Sequence, residues 1–221
     1  MANHQMKRNL LLIILFSALF SIEQSAAQKS DKPTSSSRIA IGFNYGIGNQ
    51  AAFPFDNPNY QYKNDFYKAQ FRYAITNKKQ WNFEFVVEPG YYRSKHRLLN
   101  KFYITPESGD DYLERREKFL QERTINEYVL QLSLLCRYSI FKDLSAYAIG
   151  GVGPMILDEE SERQAKGYSF SDVGGLGLMY QLNRIYLDLR VTFRHVSNLE
   201  FIQPNEGYNM VGIEFGISTK I

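Results

Sequence analysis

A single cysteine, Cys136, leaves this 221-residue chain without an internal disulfide framework and without a cysteine-rich metal site. It falls on an apolar strand face, where a free thiol packs as a small hydrophobe. Charge of one sign is missing too. The 26 Lys and Arg stand against 23 Asp and Glu, and a formal net charge of +3 is too mild to imply a nucleic-acid partner. Beyond the N-terminal segment no apolar stretch approaches the roughly 20 residues that a spanning helix needs. A chain of this kind that enters a membrane must do so as a closed barrel, because lipid offers no partner to free backbone groups. A mean hydropathy of −0.37 with 15% aromatic residues agrees with that, since half of a barrel's strand positions face a polar interior. No metal and no other cofactor is implied.

The N-terminus reads as a secretory signal over residues 1–27. Lys7 and Arg8 precede an apolar core from Leu10 to Ile22, and Ser25-Ala26-Ala27 supplies small residues before a cut at Gln28. Residues 28–37 form a polar, flexible leader, and residues 38–221 a single domain.

That domain is written in period two. Ile39, Ile41, Phe43, Tyr45 and Ile47 alternate with small residues. A second strand near Phe66–Thr76 carries Ala69, Phe71, Tyr73 and Ile75 on one face and Lys68, Gln70 and Arg72 on the other. The third opens at Trp81, and the fourth sets Tyr128, Leu130, Leu132, Leu134 and Cys136 against Glu127, Gln131, Ser133 and Arg137. The fifth and sixth, over 145–157 and 168–180, are glycine-rich, and their parity does not fix their facing. The seventh runs from Ile185 to about Ser197, and the eighth alternates most cleanly, from Val211 to Ile221.

Connections alternate short and long. Residues 77–80, 139–144 and 181–184 are brief, whereas 49–65, 93–125, 158–167 and 199–208 are long. The expected fold is therefore all-β, an eight-stranded antiparallel transmembrane barrel of the bacterial outer membrane, with long loops at the cell surface. Within the second long loop, residues 111–123 have room for a helical turn or two on a charged, solvated face. His96, in the same loop, reads as a surface residue. Inward parity gathers Arg72, Arg137, Arg190, Arg194 and Lys220 with Glu84, Glu88, Glu127, Asp188 and Glu214, a set that pairs and plugs a barrel of this width.

One polar group falls on the wrong face. His195 and Ser197 continue the apolar side Ile185, Leu187, Leu189, Val191 and Phe193. A final hairpin loop centred on Ile202 pairs Val191 with Ile213, Phe193 with Val211 and His195 with Asn209. Asn209 then lies across the ladder at a Cβ separation of about 5 Å, and Ser197 about 7 Å along the strand. A hydroxyl beside an imidazole, with a third group to orient the ring, is what nucleophilic acyl transfer requires. Asn198 and the backbone amides of the following loop supply the oxyanion donor. At the surface end of the wall, the substrate of such a site is a lipid.

Arg194-His195-x-Ser197-Asn198, followed by Pro204-Asn205-x-Gly207 and a polar residue at 209, resembles the motif of the outer-membrane lipid A 3-O-deacylases, the PagL-type acyloxyacyl hydrolases. The specific match covers about the last thirty residues. The resemblance implies an eight-stranded barrel that removes an ester-linked acyl chain from lipid A with an exterior Ser-His-Glu triad. By it His195 is the base, Ser197 the nucleophile and Asn198 an oxyanion contributor, with Asn205 and Gly207 beside the substrate. The family's Glu position holds Asn209. An amide orients the ring but does not offset imidazolium charge, so Glu206, or Glu200 if it turns outward, is the stand-in acid that the sequence offers. The partners implied are lipid A or a related outer-leaflet lipid, the membrane itself and, in one arrangement, a second copy in a homodimer. A catalytically silent barrel with a structural or surface-binding role is the competing reading, since polar residues at a strand end also mark a membrane interface.

Overall fold

A computed structural model describes residues 37–76 and 80–221. The signal, all of the leader but its last residue and most of the first short turn lie outside the described residues. Strict alternation of outward and inward side chains makes eight strands of them: β1 (Ile39–Asn49), β2 (Tyr60–Ala74), β3 (Trp81–Leu98), β4 (Arg123–Ser139), β5 (Leu144–Leu157), β6 (Gly167–Leu182), β7 (Ile185–Ser197) and β8 (Tyr208–Lys220). Each pairs antiparallel with its neighbours in sequence, and β8 closes on β1, with Phe43 opposite Ile217. Closure leaves no free sheet edge, which the bilayer demands.

The outer wall is apolar where lipid would cover it. Phe43, Phe71, Phe85, Leu134, Leu189 and Phe215 are all exposed, although they alternate with fully buried polar residues. The wall is taller than the alternation of residues 66–76 indicates. On β2 and β3 the outward residues change from Tyr67 and Tyr91 to Lys63, Arg93, Lys95 and Arg97, which lifts β2 to Tyr60 and β3 to Leu98 above the apolar band. The first long loop shrinks accordingly.

Inside, charges fill the cylinder. Arg190 Nη2 contacts Glu88 Oε1 at 2.7 Å and Glu214 Oε2 at 2.6 Å, while Lys68 Nζ lies 2.8 Å from Glu214 Oε1. Arg137 and Arg72 share Glu84, and Arg194 pairs with Glu127 at 2.7 Å. Asp188 accepts from the Tyr147 hydroxyl at 2.6 Å. Lys220 joins differently from the rest, with its ammonium 5.4 Å from the centre of the Tyr186 ring. Above the ionic layer, aromatic stacking continues the plug: Phe66 on Tyr92 and Tyr62 on Tyr208, with centroids 4.5 and 4.1 Å apart.

The face of β5 and β6, which parity left open, is settled by volume. Tyr147 and Ile149 point in, and a Cβ on Gly177 would sit 2.3 Å from the Tyr147 ring, so the glycine makes room for an inward tyrosine. Even-numbered residues of β6 therefore point out.

A cap covers the surface end. Helix α1 (Tyr112–Leu120) forms in the charged loop and buries Phe119 against Leu98 and Ile104, with Tyr112 and Leu120 packed at the side of that cluster. His96 corrects the sequence expectation. It belongs to β3, not to a loop; it is fully buried, and its Nε2 lies 2.8 Å from Glu162 Oε2. Its even number on β3 turns it inward, beneath a cap that the sequence did not reveal.

Candidate active site

The β7–β8 ladder pairs Val191 with Ile213, Phe193 with Val211 and His195 with Asn209, the register expected from a hairpin centred on Ile202. His195 and Ser197 alternate with the buried Arg194, Val196 and Asn198, so both stand on the outer face of the wall. His195 Nδ1 lies 2.8 Å from Asn209 Oδ1. An amide oxygen only accepts, so Nδ1 carries the proton, and Nε2 of the neutral ring keeps a lone pair. An imidazole with a free Nε2 lone pair thus lies one side-chain period from the Ser197 hydroxyl.

A model of the lipid A 3-O-deacylase (PagL) family matches residues 45–218, most of the chain. The chain belongs to the lipid A 3-O-deacylase (PagL) family. The crystal structure of the outer membrane enzyme PagL superposes with a TM-score of 0.52 at 12% identity, over 80% of this chain and 97% of that one. Neisserial surface protein A gives 0.48 at 9% identity, over 84% and 98%. No curated protein sequence matches this one. Family and fold together make the chain a barrel of the bacterial outer membrane.

The PagL-family motif also contains residues that build the site without facing it. Asn198 is fully buried, and its Nδ2 donates to the Ile202 carbonyl at 2.6 Å. The side-chain oxyanion role expected of it is therefore corrected: even parity turns Asn198 inward, where it pins the loop. Its backbone N–H donates to Asn205 Oδ1 at 2.6 Å, which ties the two asparagines of the motif together. Leu199 and Glu200 turn the chain with φ of 53° and 65°, ending β7 and leaving Glu200 exposed beyond the strand.

Gly207 is needed for two reasons. Its φ is 62°, and a Cβ there would meet the Val196 carbonyl oxygen at 2.2 Å and His195 Cε1 at 3.4 Å. Any side chain at 207 would touch the imidazole. The Gly207 N–H is engaged by the Arg163 carbonyl at 3.1 Å, and its carbonyl accepts from Arg163 Nε at 2.7 Å. Of the side-chain amides anticipated beside the substrate, Asn198 Nδ2 is engaged, whereas Nδ2 of the partly exposed Asn205 has no partner among the described residues.

Glu206 is also corrected as a stand-in acid. Its carboxylate is bound by Arg163 Nη1 at 2.8 Å and by the Tyr103 hydroxyl, while the Nδ1 it would need on His195 is taken by Asn209. Burial and the bond to Glu206 push the Tyr103 phenol well above its ordinary range, so it stays a donor at any physiological pH. Together with Gln164 bridging to Asn205 and Ala165 N–H bonding to the Pro204 carbonyl, this latch joins the last two long loops beside the site.

One neighbour of the imidazole was not foreseen. Asp172 of β6 lies opposite His195 in the β6–β7 ladder, and Phe170 lies opposite Ser197. The glycines at 174, 175 and 177 hid the facing of that strand in the sequence.

Proposed function

We propose that this chain is a lipid A deacylase whose reaction centre is the lipid-facing pair His195 and Ser197. His195 Nε2 takes the Ser197 Oγ proton as the oxygen attacks the ester carbonyl of an acyl chain. The resulting oxyanion is held by Asn205 Nδ2, and the proton passes to the departing sugar oxygen. Water then repeats the sequence on the acyl-enzyme and releases a fatty acid. Asn209 fixes the tautomer throughout. Residues 1–27 direct the chain's export as a signal that is cut before Gln28.

The observation that carries this reading is the 2.8 Å bond from His195 Nδ1 to Asn209 Oδ1 on the outer wall. That bond leaves Nε2 of the ring unprotonated, the state in which it can act as a base. Position supports the choice of substrate: a site on the outside of the cylinder, near its surface end, would meet the outer leaflet, where lipid A carries its acyl esters. The neutral amide at 209 favours a second reading, a barrel that keeps the fold and the motif but has lost turnover.

Mass spectrometry of lipid A from cells expressing the wild-type chain or Ser197→Ala separates the two. Loss of one ester-linked acyl chain with wild type and full acylation with Ser197→Ala is expected. Full acylation with both would leave the silent barrel.

A further inference from the structure

We infer that Asp172 is a positioning residue for His195 and supplies across the β6–β7 ladder the negative charge that Asn209 lacks. The inference rests on the Ser-His reading above and deepens it. Directly opposed residues of an antiparallel pair point to the same face with Cβ atoms about 5 Å apart. His195 has two such neighbours, Asn209 on β8 and Asp172 on β6. Asp172 is exposed between the buried Ser171 and Val173, so it shares the outer face with the imidazole.

Asp172 has no hydrogen bond or ion pair among the described residues. On the same face of β6 it stands between Phe170 and Gly174, with Leu176 beyond, a stretch that gives a carboxylate nothing to bind. An ion with no partner on the apolar wall of a barrel carries a cost, and that cost falls when an opposing cation forms nearby. The reaction makes one. When Ser197 Oγ gives its proton to Nε2, the hydroxyl oxygen bonds to the acyl carbon and the ring gains a full positive charge. Among the described residues nothing else around the ring balances it: Asn209 is neutral, Phe193 and Ser197 flank it on β7, Gly207 beside it carries no charge, and Arg194 lies in the lumen bound to Glu127.

Division of labour explains why two strands are used. A triad carboxylate both orients the ring and offsets its charge. Here Asn209 holds Nδ1, so Asp172 acts through space without a hydrogen bond to the ring, in a region where low dielectric makes a charge at this distance count.

The test uses full-length protein in outer-membrane vesicles, with released fatty acid measured over a range of lipid A concentrations. Wild type, Ser197→Ala, Asp172→Asn, Asp172→Glu, Asn209→Glu and the Asp172→Asn/Asn209→Glu double variant are compared, and folding is checked by heat-modifiable mobility on gels. Asp172→Asn is expected to lower kcat about 10- to 100-fold at unchanged KM, and Asp172→Glu to recover most of that. Once Asn209→Glu puts a carboxylate on Nδ1, the same Asp172→Asn change should cost less than about threefold. A fully active Asp172→Asn, or an equal penalty in both backgrounds, overturns the role of Asp172 while a dead Ser197→Ala keeps the hydrolase reading. Equal activity of wild type and Ser197→Ala overturns both.

Discussion

The lumen and the outer wall treat polar groups in opposite ways. Inside, Glu214 is shared by Lys68 and Arg190, Arg190 also reaches Glu88, and Glu84 serves two arginines, so these charges are held by more than one route or by a close partner. Outside, four polar side chains on three adjacent strands, Asp172, His195, Ser197 and Asn209, interrupt an apolar face, and a single hydrogen bond links two of them. Dense pairing makes the interior stable and chemically idle. Sparse pairing leaves a lone pair on His195 and a hydroxyl on Ser197 available to react.

The sharpest way to break the contrast is to remove one group from each side. Ser197→Ala should abolish deacylation, a loss of at least about a thousandfold, with no change in the heat-modifiable folded form. Arg190→Leu should do the reverse. It leaves Glu88 without its cation and Glu214 with Lys68 alone, and should cost about 3–5 kcal/mol of stability, read as a lower urea midpoint in detergent micelles, while the outer face keeps its geometry. Activity that survives the first change, or stability that survives the second, would erase the distinction between the two regions.

Gly207→Ala tests how tightly the loop is built against the ring. The added Cβ meets the Val196 carbonyl, and left-handed φ adds to the strain, so the loop must move away from His195. A fall in activity of about tenfold or more with a near-normal unfolding midpoint is expected. Wild-type activity would mean that the close approach of the loop to the imidazole does not position substrate.

Most of the wall was legible because parity is a strong signal wherever large residues alternate with polar ones. The register of the final hairpin followed from requiring apolar residues to face one another, and that alone placed Asn209 against His195. The inward charges of β2, β3, β4, β7 and β8 were read in the same way. Legibility failed where the signal is not periodic. Glycines remove the contrast between faces, which concealed Asp172 on β6. Charges such as Lys63 and Lys95 on strand extensions above the membrane look like loop residues, which concealed the height of the barrel and the burial of His96. Contacts between distant loops leave no local pattern, so the union of Arg163, Glu206 and Tyr103 could not be read from their neighbours, and Glu206 was open to be taken for an acid.

That latch also yields the finest test of the comparison, because it is the one place where dense pairing of the interior kind touches the reactive wall. Arg163 holds the Gly207 carbonyl, the Glu206 carboxylate and the Tyr103 hydroxyl, and Gly207 lies beside the imidazole. Arg163→Ala removes these bonds but leaves the Gly207 N–H on the Arg163 carbonyl, so the loop should loosen without leaving its place. Glu206 is exposed, and its ion pair adds little to overall stability. The expected outcome is an unchanged unfolding midpoint with a loss of activity of about two- to fivefold, and a loop that is cut sooner by protease added outside the cell. If protease sensitivity rises while activity stays at the wild-type level, the site depends on the β6–β7–β8 ladder alone, and the latch serves only the cap.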